Sequence, residues 1–420
     1  MARIMEAGIW QELYRNIKSP RLENTVVGFN MNLDRVIPVT RELLDSPVFL
    51  HKDLFELRAR LIYSMQHGTA EEWFVSDAAQ YRRFTDAFSR TGAIAIGGQA
   101  GIAALHLSGL GVGRVVCAAP SHGPESAGIL TNAGIIVPEF ATGKIPADDT
   151  THLVFEYAPG LVILAPGVIP RNNRFIVSPV HIPSSVIIPE SRMGGFLSEI
   201  ALCNRAFLSG YQYLRSDREF AVARDQMDLM KKHNSSLRIH IECVSVTDEE
   251  VIRRFTRFIL PGADSLGLNE HEFSILLYHL NLSGTGHRET DVLAPEQNME
   301  YALALCQTLG LKRLHVHTFG YYILVLRSDV ANAERSRNAL LYASREAAHA
   351  AQGTGIAISA DGIRAAGMAD IVFGPADSAG IFPEGPYALL IIPTEIASNS
   401  KKTSGLGDIL SSTAFVADEF

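Results

Sequence analysis

At 420 residues, 47% apolar and 20% charged, the chain has material for the cores of two or three domains. Its net charge of −8 argues against nucleic acid or an anionic membrane as the main partner. Cys117, Cys203, Cys243 and Cys306 stand far apart, which excludes a disulfide framework or a cysteine zinc site. With no apolar run of ~18 residues and no signal-peptide pattern at the start, a cytoplasmic protein is expected.

In chain order, Ile9 to Ile17 has helical spacing and stops before Pro20. Thr25 to Gly28 reads as a short buried strand running into Asn30, Asn32 and Asp34, which share one side of an extended chain. Three hydrogen-bonding side chains at the carboxyl end of a strand suit a polyhydroxylated ligand, or an Asx-rich turn. Residues 40–90 are charged and helical in pattern, interrupted from Gln66 to Trp73. Ala93 to Ala103 is a strand, a Gly97-Gly98 turn and a helix start, and Val115 to Ala118 and Ile135 to Val137 continue a rhythm that favours a parallel sheet.

From Thr150 to Pro189 the texture changes to short β-type runs divided by Pro and Gly: Leu153 to Tyr157, Leu161 to Leu164 and Arg174 to Val177. This predicts an antiparallel excursion, a smaller domain inserted in the first. The βα rhythm then returns. Strands are expected at Ala206 to Leu208 and Leu237 to Cys243, with a helix capped near Thr247 after the second. Ser265 to Asn269 and Leu314 to Gly320 repeat the pattern. A long helix from Val330 to Ala351 precedes a last strand, Ala388 to Ile392.

Near the end, Gly405-Leu406-Gly407-Asp408 leads into an apolar-periodic run. That is how a loop entering a helix N-terminus looks, with free backbone N–H groups able to meet an anion. Asp408 beside such an anion could take a proton from an attacking hydroxyl, or could simply cap the helix. His240-x-Glu242 and Asn269-x-x-Glu272 fall where predicted strands end, the edge at which open α/β sheets bind ligands. Their carboxylates are oxygen ligands of the kind Mg2+ prefers through its waters, whereas His240 reads as a supporting or packing histidine. Glu272 could equally be a first-turn acid complementing its helix.

Taken in order, Asn30 to Asp34, Gly97 to Gly101, Asn173 to Ile176, Ser209 to Gln212, His240 to Glu242, Leu266 to Glu272, His315 to Tyr322 and Gly405 to Asp408 resemble the ADP-dependent sugar kinases. These are the archaeal-type ADP-specific phosphofructokinases and glucokinases of the ribokinase-like superfamily. The combination HxE, NxxE and GxGD in this order carries the resemblance. It implies an α/β fold: a ribokinase-like large domain with a mostly parallel central sheet flanked by helices, and a smaller α+β lid. The expected boundaries are 1–33, 98–148 and 197–420 for the large domain, and 34–97 and 149–196 for the lid.

The resemblance further implies transfer of the β-phosphoryl of Mg-ADP to a sugar hydroxyl. Asp408 would be the base, Gly405 to Gly407 the anion hole, and Arg174 a lid residue on the phosphates. Glu242 and Glu272, with Asp408, would organise Mg2+. His317, Tyr321, Gly407 and Arg174 would meet the nucleotide, and Asn32, Asp34, Gly98 and Gln99 the sugar. Glu72 is expected where glucose-accepting members carry an acid, and Arg192 is a candidate for a 6-phosphate. Ser404 stands where the family often has valine, and the twelve residues after Asp408 leave room for little C-terminal helix. The partners expected are ADP and a hexose or hexose phosphate, with no nucleic acid and no membrane, and the protein acts as a monomer or small homo-oligomer. Fructose 6-phosphate leads as acceptor. A dedicated glucokinase, an ATP-using sugar kinase and a non-catalytic binding regulator on the same fold stay open.

Overall fold

Short runs of aliphatic residues, buried on both faces, form the centre of a nine-stranded sheet. The computed structural model describes residues 2–68, 71–120, 122–138, 149–160, 169, 173–179, 186–244, 246, 248–283, 293–400 and 405–420. The expected Leu161 to Leu164 strand, Thr247 and Ser404 lie outside these residues. The sheet contains β1 (Thr25–Gly28), β5 (Val115–Cys117), β8 (Arg205–Leu208), β9 (Arg238–Glu242), β10 (Ser265–Asn269), β11 (Arg313–His317), β12 (Tyr321–Arg327), β14 (Ile381–Glu384) and β15 (Tyr387–Pro393). Its order is β14-β15-β12-β11-β10-β9-β8-β1-β5, parallel from β11 to β5 and antiparallel from β12 outward. A two-stranded ribbon, β13 (Ile356–Ile358) with β16 (Glu395–Ala397), lies beside it in the chain.

A second sheet of five strands has the order β3-β7-β6-β2-β4, made of β2 (Asn32–Pro38), β3 (Glu71–Val75), β4 (Ala93–Gly97), β6 (Thr151–Tyr157) and β7 (Asn173–Pro179). It has a core of its own, with Leu57, Leu61, Phe84, Phe88, Phe155 and Phe175 fully buried together. Residues 29–31 carry the chain from β1 into this sheet, and Gly98 carries it back into the helix Gln99–Gly109, which packs on Val27 and Val115. The crossing is tight. Gly98 (φ +73°) has no room for a Cβ, which would lie 2.4 Å from the Asn30 carbonyl oxygen, and Gly210 (φ +98°) faces Asn30 from the other side.

Several sequence expectations need correction. The inserted sheet is mixed, because β2 runs parallel to β6 and β3 parallel to β7. β3 occupies part of the stretch taken as an interruption between helices. After β11 the chain turns back into β12 as a hairpin instead of entering a helix. Ile136 makes only an isolated bridge to Val116, and β16 follows the strand expected to be last. Asp248, accepting from the Glu250 and Val251 N–H groups, caps the helix after β9. The end of the chain forms a full buried helix, Leu406–Ala417, anchored beyond its last turn by the buried Asp418–Arg313 ion pair. The helix Glu190–Ile200 and the residues leading into it (Val186, Ile188, Phe196) join the large sheet's core, so Arg192 stands on the large-domain side of the cleft and not on the lid. No helix among the described residues is long and apolar enough to cross a membrane.

Candidate active site

The carboxyl ends of β9 to β11 and the N-terminus of the helix Leu406–Ala417 meet at one place. Gly405 (φ +72°) turns the chain into this helix without a side-chain cap, leaving first-turn N–H groups at the helix's positive end. Gly407 lies against His317: a Cβ there would be 3.2 Å from the ring's Cε1. Asp408 follows, half-buried. Burial and the Glu242 charge push its carboxyl up to about 7, against the opposing effects of His317, a Gln99 hydrogen bond and the Arg174 charge. Gln99 also donates from Nε2 to the Cys243 carbonyl at 2.9 Å, so it spans from the helix to the end of β9.

Glu242 is the opposite case. Burial alone would raise it, but hydrogen bonds with His240 and His317 outweigh that and hold it down to about 2. His240 Nε2 lies 3.0 Å from Oε2, His317 Nε2 3.2 Å from Oε1, and the Ser411 hydroxyl donates to Oε2 at 2.5 Å. His240 Nδ1 meets Ser265 Oγ at 2.8 Å, and burial lowers the pKa of its ring, which is stacked on Phe207. It supports Glu242 and packs, as its sequence setting suggested. His317 is raised: burial acts downward, but the Glu242 hydrogen bond and charge prevail.

Asn269 and Glu272 form a reciprocal cap on the helix Glu270–His279. Asn269 Oδ1 accepts from the His271 and Glu272 N–H groups at 2.9 Å, and Glu272 Oε2 accepts from the Asn269 N–H at 2.9 Å. Glu272 is thus a first-turn acid of its helix, as one of its two readings had it, and it also lines a pocket with Glu242 and Cys243. Among the described residues no group of three His, Cys, Asp or Glu side chains is placed to grip a metal directly. Glu242, with three donors already on it, suits the water shell of an ion better than the ion itself.

The lid presents the facing wall. Asn32 Nδ2 donates to Asp34 Oδ1 at 2.6 Å. Burial pushes Asp34 up to about 6, with Glu72 and Glu156 adding to the shift and Asn32 and Arg174 opposing it. Gly97 makes room for this carboxylate, since a Cβ there would lie 2.4 Å from its atoms. Glu72 is exposed as a residue, but its carboxylate is enclosed and raised by burial; it accepts from Ser178 Oγ at 2.5 Å, and that oxygen lies 3.2 Å from His152 Nδ1. Arg174 on β7 acts on Asp34, Glu72 and Asp408 together, which makes it the charge common to both walls. The Arg192 charge acts on His122.

A further open pocket adjoins Gly407. His317, Thr318, Phe319, Tyr322, Glu395 and Leu406 are in its wall. Tyr322 is there, whereas Tyr321 projects to the other face of the sheet and accepts from Asn298 Nδ2 at 2.8 Å. Sequence reasoning missed this alternation because it missed the hairpin. It also missed Ser411, Ser178 and His152. Gly267 went unused too, although a Cβ there would lie 2.1 Å from Glu242 Oε2. A glycine inside an apolar strand was the available signal for that close approach.

The chain matches the model of the ADP-specific phosphofructokinase/glucokinase conserved region over residues 23–417. It is 26% identical to the ADP-dependent glucose/glucosamine kinase of Pyrococcus furiosus, covering 97% of this chain and 98% of that protein. Against the ADP-specific phosphofructokinase of Methanosarcina acetivorans it is 26% identical, covering 97% and 95%. A solved ADP-dependent kinase in complex with fructose-6-phosphate and ADPbetaS shares the fold, with a TM-score of 0.76 at 24% identity over 99% of this chain and 97% of that one. With a match running nearly from end to end, and the three motifs assembled at one sheet edge, the chain belongs to the ADP-specific phosphofructokinase/glucokinase family.

Proposed function

We propose that the protein transfers the β-phosphoryl group of Mg-ADP to a hydroxyl of a hexose or hexose phosphate, releasing AMP. Fructose 6-phosphate is the leading acceptor and glucose the second. The observation that carries this reading is the place of Asp408: in the first turn of a glycine-flanked helix, next to the Gly407 pocket, with burial and Glu242 raising its carboxyl. As the sugar oxygen bonds to phosphorus and the bond to AMP breaks, Asp408 takes the hydroxyl proton, and the amides following Gly405 meet the developing negative charge. Glu242 and Glu272 hold Mg2+ through its waters; the ion neutralises phosphate charge when bound. Arg174 reaches the phosphates from the lid.

Asn32, Asp34, Gly98 and Gln99 bind sugar hydroxyls. Tyr322 and Phe319 border the nucleotide base, in place of Tyr321. Glucose is kept as second acceptor because the enclosed Glu72 carboxylate can accept from two hydroxyls. Arg192 remains the candidate for a 6-phosphate, approached from the large domain. The test is a coupled assay for AMP with ADP, Mg2+ and each sugar. Turnover with ADP and fructose 6-phosphate supports the reading. Activity with glucose alone would make the protein a dedicated glucokinase, and none with either sugar would remove the kinase function.

A further inference from the structure

Three hydroxyl residues follow one another on the helix that carries Asp408, and they are used differently. Ser412 bonds back to the Ile409 carbonyl at 3.3 Å, and Thr413 Oγ1 has no partner among the described residues. Ser411 reaches out of the helix: its buried Oγ donates to Glu242 Oε2 at 2.5 Å and lies 3.3 Å from His240 Nε2. That is the short spacing of a hydroxyl on a carboxylate. Ser411 is one turn from Asp408 (i, i+3), so both project from the same face of the helix. The contact depends on Gly267 in β10, where a Cβ would fall 2.1 Å from Glu242 Oε2 and 2.8 Å from Ser411 Oγ.

Glu242's other oxygen meets His317, whose ring underlies Gly407. The carboxylate is thus tied to the helix on both sides of Asp408: through His317 at Gly407, and directly at Ser411. We propose that Ser411 is a positioning residue for phosphoryl transfer, fixing the helix that bears Asp408 against Glu242. Base and magnesium-organising carboxylate then keep one separation, with no contact between Ser411 and substrate. This rests on the function proposed above.

The test compares Ser411→Ala, Ser411→Thr and Gly267→Ala in the full chain, with Asp408→Ala alongside. Loss of a hydrogen bond behind a metal-organising group is expected to lower kcat and weaken Mn2+ binding roughly tenfold to a hundredfold, with the sugar KM unchanged. Mn2+ binding to the ADP complex is read from the free-ion paramagnetic resonance signal, which needs no turnover. Ser411→Thr, which keeps the hydroxyl, should restore both. Gly267→Ala should reproduce the defect by pushing the same carboxylate aside. Mn2+ binding and kcat in Ser411→Ala within about twofold of wild type would overturn the role. A defect in thermal stability alone would do so too. If Asp408→Ala keeps its turnover, the proposed function fails whatever Ser411 does. If Asp408→Ala is inactive and Ser411→Ala behaves as wild type, only the positioning role fails.

Discussion

Glu242 on the large-domain wall and the two lid carboxylates are treated in opposite ways. On the large-domain wall Glu242 has His240, His317 and Ser411 on it and is held down to about 2. On the lid, Asp34 has Asn32 and Glu72 has Ser178, and burial raises both, Asp34 to about 6. Glu242 is saturated with donors; the lid pair, like Asp408 on Glu242's own side, is short of them. A charge that must stay fixed while phosphate moves belongs in the first kind of setting. Carboxylates that must accept from an incoming sugar belong in the second.

Breaking the Glu242 network should have the largest effect. Glu242→Gln leaves three groups arranged for a carboxylate facing an amide. It should cost on the order of 3 kcal/mol of stability and raise the Mg2+ concentration for half-maximal rate about tenfold or more. The sign follows from the depressed pKa: Glu242 stabilises the fold above the ordinary carboxylate range, and that contribution is lost as pH falls toward about 2. Thermal melts across pH, with Mg2+ titrations of rate, check both; wild-type behaviour in each would make the network incidental.

Arg174→Ala removes the charge common to both walls. The KM for ADP should rise about tenfold while the melting temperature moves little, since phosphate is its proposed partner. Unchanged KM and kcat together would sink that assignment.

The two acceptor candidates, Glu72 on the lid and Arg192 on the large domain, should respond selectively. Glu72→Ala should lower glucose turnover several-fold (roughly 1–2 kcal/mol) and spare fructose 6-phosphate, and Arg192→Ala should do the reverse. Equal losses on both sugars from either change would mean that the residue does not set acceptor choice.

The smallest effect sharpens the contrast. Asp408 has a raised pKa, so the folded protein holds its proton more tightly than the unfolded chain does, and ionised Asp408 opposes folding above the ordinary carboxylate range. Asp408→Asn should therefore raise the melting temperature by a few degrees at pH 8 and lose that advantage as pH falls below about 7. Differential scanning calorimetry at pH 5 and pH 8 reads the difference, and an equal shift at both values would contradict the assignment.

Much of the candidate site was legible because its polar residues sit on strand ends. His240-x-Glu242, Asn269-x-x-Glu272 and Gly405 to Asp408 each stand where a buried strand or a helix start leaves polar groups at the sheet edge. What stayed hidden depended on partners distant in sequence. Ser411 reads as one more small polar residue in a helix until β9 lies beneath it, and Gly267 is unremarked until Glu242 needs its space. β3 was lost because Glu71 to Val75 is an edge strand with charged and aromatic residues on open positions. Tyr321 and Tyr322 could not be told apart without the β11–β12 hairpin, which sets the side of the sheet each one faces. Arg192 looked like a lid residue because its turn follows the lid's Pro-rich stretch, whereas the apolar face of its helix belongs to the other core.

The central claim is that Asp408 drives proton removal in an ADP-dependent sugar phosphorylation. The most direct measurement is AMP formation by wild type and Asp408→Asn at saturating Mg2+ and fructose 6-phosphate, with ADP binding determined by calorimetry on the same samples. The account predicts AMP and phosphorylated sugar from wild type. For Asp408→Asn it predicts near-unchanged ADP affinity and a kcat lower by roughly 10²–10⁴-fold. An Asp408→Asn enzyme that keeps more than about a tenth of wild-type kcat would contradict it.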